Sequence, residues 1–127
     1  MRILPNTHIA LWAVTGSRRL TRKARERILA ADELHISAAT LWEIATKHAW
    51  SRGDMPVSSA QALQAFRDAG YALLAVRPQH AVRVEGLPSV HSDPFDRLLV
   101  AQAQCEPLTL LTSASLVGQY GSGVMRV

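Results

Sequence analysis

The chain has 127 residues, 48% of them hydrophobic and 19% charged. That is globular composition and excludes a disordered segment, whose low hydrophobicity and high charge cannot offset the entropy of ordering. The length suits one compact domain that needs no covalent staple, so a single domain over residues 1–127 is expected. One cysteine, Cys105, excludes a disulfide framework or a cysteine-rich metal centre within the chain.

Taken in order, residues 2–4 read as a short apolar strand that Pro5 must end, because proline donates nothing to a sheet ladder. A helix over 7–13 is broken by Gly16-Ser17, and a second over 21–31 is capped by Thr21. This second helix and the turn before it hold Arg18, Arg19, Arg22, Lys23, Arg25 and Arg27. The cluster reads either as a solvated helix face or as an attraction for phosphate backbone.

Residues 34–37 form a brief strand, and Ser37 starts a helix that reaches about Trp50 and closes at the Arg52-Gly53-Asp54 turn. A helix over 59–69 stops at Gly70, and the apolar run 71–76 predicts a strand buried on both faces. Pro78 opens a helix over 78–85, and a loop from Gly86 carries His91. A helix from Asp93 to about Gln104, a strand over 108–111, a short helical or irregular piece after Ser113, and an edge strand over 124–127 complete the chain.

Strands alternating with helices predict an α/β fold with a central, mainly parallel sheet flanked by helices. Functional residues then belong just beyond the carboxyl ends of the strands, where Asn6, Glu43 and Ser113 fall. No apolar run approaches the ~20 residues of a membrane span, so a cytoplasmic location away from any membrane is expected. The three tryptophans, Trp12, Trp42 and Trp50, are expected in the core or at a dimer face.

Asp93 and Asp96 lie three residues apart at a helix start. Asp93 suits the N-cap, Pro94 the first helical position, and Asp96 the third, so capping alone can explain both acids. Glu43 sits among apolar neighbours, where it either forms a cap with Thr40 or projects into the same crevice as Asp96. Two carboxylates brought together repel unless a cation or proton joins them.

Four segments occur in order: Asn6-Thr7-His8, Ala39-Thr40-Leu41-Trp42-Glu43-Ile44-Ala45, Asp93-Pro94-Phe95-Asp96-Arg97-Leu98-Leu99-Val100-Ala101-Gln102-Ala103, and Leu110-Leu111-Thr112. Together they resemble the motifs of PIN-domain ribonuclease toxins of the VapC type, over almost the whole chain. The resemblance implies a PIN-like doubly wound sandwich, a homodimer, a small antitoxin partner and a divalent-metal-dependent endoribonuclease acting on RNA. It assigns Glu43, Asp93 and Asp96 to Mg2+ or Mn2+, with Asn6, Glu43 and Asp96 as catalytic positions and Thr112 and Ser113 as accessory ones. Lys47, Arg52 and Arg97, on or near the motif-bearing helices, are the candidates for holding RNA.

The chain departs from that pattern twice. Asn6 stands where the family has aspartate after the first strand, and Ala114 follows Ser113 where another aspartate belongs. Asparagine brings a carbonyl oxygen but no charge, and alanine brings no ligand, so metal binding is expected to be weak or absent. Two readings stay open: an impaired endoribonuclease, and an inactive PIN module that binds antitoxin or RNA without cleavage. A doubly wound phosphoacceptor or nucleotide-binding domain lacks support, because there is no glycine-rich phosphate loop.

Overall fold

The computed structural model describes residues 1–50 and 55–127. Its five strands, β1 (Arg2–Pro5), β2 (Glu33–Ser37), β3 (Ala72–Leu74), β4 (Thr109–Thr112) and β5 (Val124–Arg126), form one sheet in the order β3-β2-β1-β4-β5. Every pairing is parallel, with Ile3 opposite Leu34 and Thr109, and Leu110 opposite Val124. The helices are α1 (Thr7–Thr15), α2 (Arg22–Ala30), α3 (Ala38–Trp50), α4 (Ser59–Asp68), α5 (Pro78–Glu85) and α6 (Pro94–Cys105), with a 3-10 turn at Val117–Tyr120. This is the α/β architecture, a parallel sheet flanked by helices, that the alternation predicts.

Local sequence accounts for most helix starts. Thr21 Oγ1 accepts from the Ala24 amide at 3.1 Å, Ser58 and Gln61 form a reciprocal capping box, and Asp93 caps α6 just ahead of Pro94. Ser37 combines two tasks: its Oγ accepts from the Ala39 amide at 2.9 Å and donates to Gln102 Oε1 at 2.5 Å. Gln102 in turn contacts His80, which pairs with Glu106 at 2.6 Å. This buried polar chain ties the start of α3 to α5 and α6, fixing the helices that carry the acids.

Two main apolar clusters hold the layers together. One joins Leu4 and Leu110 of the sheet to Leu99, Val100 and Ala103 of α6, and the other joins Ile36 to Leu11, Ile44, Ala62 and Phe66. The core therefore lies directly behind the helices bearing Glu43 and Asp96.

The strand expected over 71–76 is corrected. Only Ala72–Leu74 pairs, at the sheet edge, and Leu73 is 45% exposed while Leu74 is buried. An edge strand has a neighbour on one side only and here no cover over one face, which an unbroken apolar run cannot reveal. Of the two places expected for the tryptophans, the core of the chain does not hold Trp42 or Trp50, which are 58% and 81% exposed. Trp42 instead meets the Phe95 ring edge-on at 4.8 Å. The expected turn at Arg52-Gly53-Asp54 lies outside the described residues.

Candidate functional site

Strand order places β2 and β3 on one side of β1, and β4 and β5 on the other. The chain therefore reverses direction across the sheet between β1 and β4, where open α/β folds form their crevice. Asn6 follows β1 directly, Thr112 ends β4, and α3 and α6 bring their acids to the same end.

One half of the crevice is neutral. Asn6 is the N-cap of α1: its Oδ1 accepts from the Ile9 amide at 3.0 Å, and its Nδ2 donates to Thr112 Oγ1 at 3.0 Å. The same Thr112 oxygen accepts from the Ala114 amide at 3.0 Å. Asn6 and Thr112 are buried, so this network is closed to competition from water. Ser113 lies half-buried beside it in the chain.

The other half is charged. Glu43 is 4% exposed, accepts from Thr7 Oγ1 at 2.6 Å through Oε1, and binds Lys47 Nζ at 2.5 Å through Oε2. Glu43 thus does not form the cap with Thr40 that the sequence allows. Asp93 accepts from the Phe95 and Asp96 amides at 2.9 and 3.0 Å, performing the capping that it was expected to perform. Asp96 does not return a capping bond; its Oδ2 lies 2.8 Å from His91 Nε2.

Two titration shifts show that these groups share one field. Burial pushes the Asp96 carboxyl above its ordinary value, and the charges of Asp93 and Glu43 add to this against the His91 hydrogen bond. For Lys47, partial burial disfavours the ammonium. The Glu43 hydrogen bond and charge, with Asp93 and Asp96 behind them, outweigh burial and raise its pKa.

Sequence reasoning brought Asn6, Glu43, Asp93, Asp96, Lys47 and Thr112 to this region, and the structure assembles them at one sheet end. Arg97 is placed differently from the RNA-facing role expected of it. Its guanidinium donates to the carbonyls of Val84, Pro88 and His91 and to Tyr120 Oη, so it clamps the loop before α6. Arg52 lies outside the described residues. Thr7 went unassigned by sequence, its only signal being its place inside the first motif; His91, open in sequence to phosphate or antitoxin contact, a cap, a loop contact or exposure, pairs with Asp96.

The donor set does not fit a firmly held divalent ion. Magnesium and manganese need several oxygens converging with net negative charge. Here Asn6 and Ala114 contribute no charge, and Glu43 and Asp96 are each paired within the chain. Among the described residues, no three His, Cys, Asp or Glu side chains are grouped to hold a metal. The crevice instead contains polar and ionic contacts that are already satisfied.

Comparison with protein families matches residues 3–114 to the PIN domain. Comparison with curated proteins returns no significant match. Among solved structures, VapBC2 from Rickettsia felis, bound to a DNA fragment from its promoter, superposes with a TM-score of 0.68 at 13% identity, covering 100% of this chain and 98% of that one. A toxin-antitoxin complex from Klebsiella pneumoniae gives 0.67 at 20% identity, covering 97% and 95%. FitAcB from Neisseria gonorrhoeae gives 0.60 at 15%, covering 91% and 89%. At these identities the superpositions establish a shared fold.

Proposed function

The chain belongs to the PIN domain family, and from that premise we propose that it is a VapC-like toxin component of a toxin–antitoxin pair, with RNA as its phosphodiester substrate and hydrolysis severely impaired. PIN domains are in general divalent-metal-dependent nucleases. The observation that carries the reading is the crevice itself: the acids of α3 and α6 converge beyond β1 and β4, while Asn6 and Ala114 leave the other half without charge. The antitoxin partner is supported by the toxin-antitoxin complexes among the structural relatives. A homodimer and a cytoplasmic setting belong to the same proposal. Among the described residues, no helix is long and apolar enough to cross a membrane.

Each residue has a defined part in that reading. Glu43 and Asp96 are the remaining acids at catalytic positions, with Asp93 holding the helix end that aims Asp96. Asn6 keeps the geometry of its position but cannot act as a base, since an amide does not take up a proton near neutral pH. Lys47, 40% exposed at its side chain, is the crevice cation assigned to the RNA backbone, and Arg52 is added on sequence position alone. Thr112 orients the β4 end through its bonds to Asn6 and the Ala114 amide, and Ser113 is added on sequence position alone; Arg97 supports the loop and is not proposed to touch RNA.

A second reading, a module that binds antitoxin or RNA without cleaving, is favoured by the internal pairing of Glu43 with Lys47 and Asp96 with His91. Cleavage of a mixed structured RNA, with and without magnesium or manganese, separates the two. The parent is expected to cut at or near background. The Asn6→Asp, Ala114→Asp double replacement should gain divalent-dependent cutting that a further Glu43→Gln abolishes. Vigorous cutting by the parent would overturn the impairment, and silence in the double replacement would leave the binding module.

A further inference from the structure

We propose that the Lys47 ammonium is the resident cation of this crevice, taking by an intramolecular ion pair the charge-neutralising place that a divalent ion holds in PIN domains generally. The inference rests on the reading of the crevice given above but concerns its electrostatics rather than RNA cleavage. Three observations carry it. Glu43 is almost completely buried, and burying an ionised carboxylate is costly unless a positive charge is close. Lys47 Nζ meets that need at 2.5 Å, one helical turn along α3. Thr7 Oγ1 holds the other carboxylate oxygen at 2.6 Å, which fixes the Glu43 carboxylate toward the ammonium.

Geometry makes the substitution specific. The i, i+4 spacing puts both side chains on one face of α3, so the pair is formed by the helix itself and requires no tertiary adjustment. Glu43 Oε1 is already occupied by Thr7 Oγ1 and Oε2 by Lys47, leaving this carboxylate with both oxygens engaged. A divalent ion approaching Glu43 must displace an ammonium that is held without any loss of translational freedom. With Asn6 and Ala114 adding no negative charge, the crevice offers little to drive that exchange. The counter-charge to the buried Glu43 carboxylate is then provided by the fold and does not depend on the metal supply.

Removing the ammonium should therefore create a demand for a cation that metal can meet. The test is thermal unfolding of the parent, Lys47→Arg, Lys47→Gln and a Glu43→Gln, Lys47→Met double variant, in EDTA and in millimolar manganese or magnesium at matched ionic strength. The parent and Lys47→Arg should show the same Tm in both buffers. Lys47→Gln should melt about 5 °C lower in EDTA and recover most of that loss in manganese. The double variant, lacking both charges, should lose the manganese response. A parent Tm that rises with manganese as much as that of Lys47→Gln overturns the proposal. So does a Lys47→Gln Tm that is unchanged in EDTA, or a manganese response that persists in the double variant. If Lys47→Gln fails to fold in either buffer, the double variant decides: a Tm near the parent's supports the ion pair, and failure there too assigns Lys47 a packing role instead. No arm uses RNA, so absence of cleavage and failure of this inference are read separately.

Discussion

The two halves of the crevice are built from similar parts, a strand end or helix start with short polar side chains, yet they satisfy their polar groups in opposite ways. On the β1/β4 side, Asn6, Thr112 and the Ala114 amide form hydrogen bonds among neutral groups. On the α3/α6 side, Glu43, Lys47, Asp96 and His91 do so with ionisable groups. The difference teaches that structural and chemical tasks at one position can separate. Asparagine caps a helix about as well as aspartate, so Asn6 keeps α1 anchored while bringing no charge to the crevice. Nothing comparable can replace Glu43, because its two oxygens serve partners that need an acceptor of that charge and reach.

The largest effect is expected where charge is buried. Glu43→Ala leaves Thr7 without its acceptor and Lys47 without its counter-charge, and should cost about 2–3 kcal/mol in urea unfolding. A loss below that of any change on the neutral side would break the contrast between the halves.

A smaller effect belongs to the neutral network. Thr112→Val keeps the shape of the side chain but strands the Asn6 amide and the Ala114 N–H, and should cost about 1–2 kcal/mol by the same measurement. Thr112→Ser should recover most of it, since the hydroxyl is restored. If Thr112→Val is neutral, the β4 end is held by packing and not by these two hydrogen bonds.

The smallest effect is a dependence on pH. Burial raises the Asp96 carboxyl above 3.8, with Asp93 and Glu43 adding to it and His91 opposing. The folded protein thus holds this proton more tightly than the unfolded chain. The penalty for ionising Asp96 is absent below the unfolded pKa, grows as pH rises through the window just above 3.8, and is complete above the folded pKa. Asp96→Asn should therefore gain stability relative to the parent as pH rises through that window, seen as a changing Tm difference. A difference that stays constant, or moves the other way, would mean that His91 and not burial dominates at this carboxylate.

Much of this was legible in the sequence because it is local. The Pro78 helix, the Thr21 cap and the Asp93-Pro94 start follow from residue chemistry within one turn, and β–α alternation forced a parallel sheet. The four motifs pointed to Asn6, Glu43, Asp93 and Asp96, which the fold brings to one end of the sheet, and the missing charges at 6 and 114 could be read directly. What failed was what depends on distant neighbours. The apolar run at 71–76 looks the same whether it is central or at an edge.

The sequence by itself determined the kinds of elements, their order and the inventory of acids, since each rests on backbone preference and side-chain chemistry over a few residues. Tertiary structure alone decided the pairings. Parallel packing of β1 against β4 brought Asn6 to Thr112, separated by more than a hundred residues, and the chain tying Ser37 to Gln102 set α3 against α6 so that Lys47 feels Asp93 and Asp96. The same folding committed Arg97 to loop carbonyls and gave Asp96 to His91. Such choices depend on which groups lose water together, a property of the assembled layers that no stretch of sequence contains.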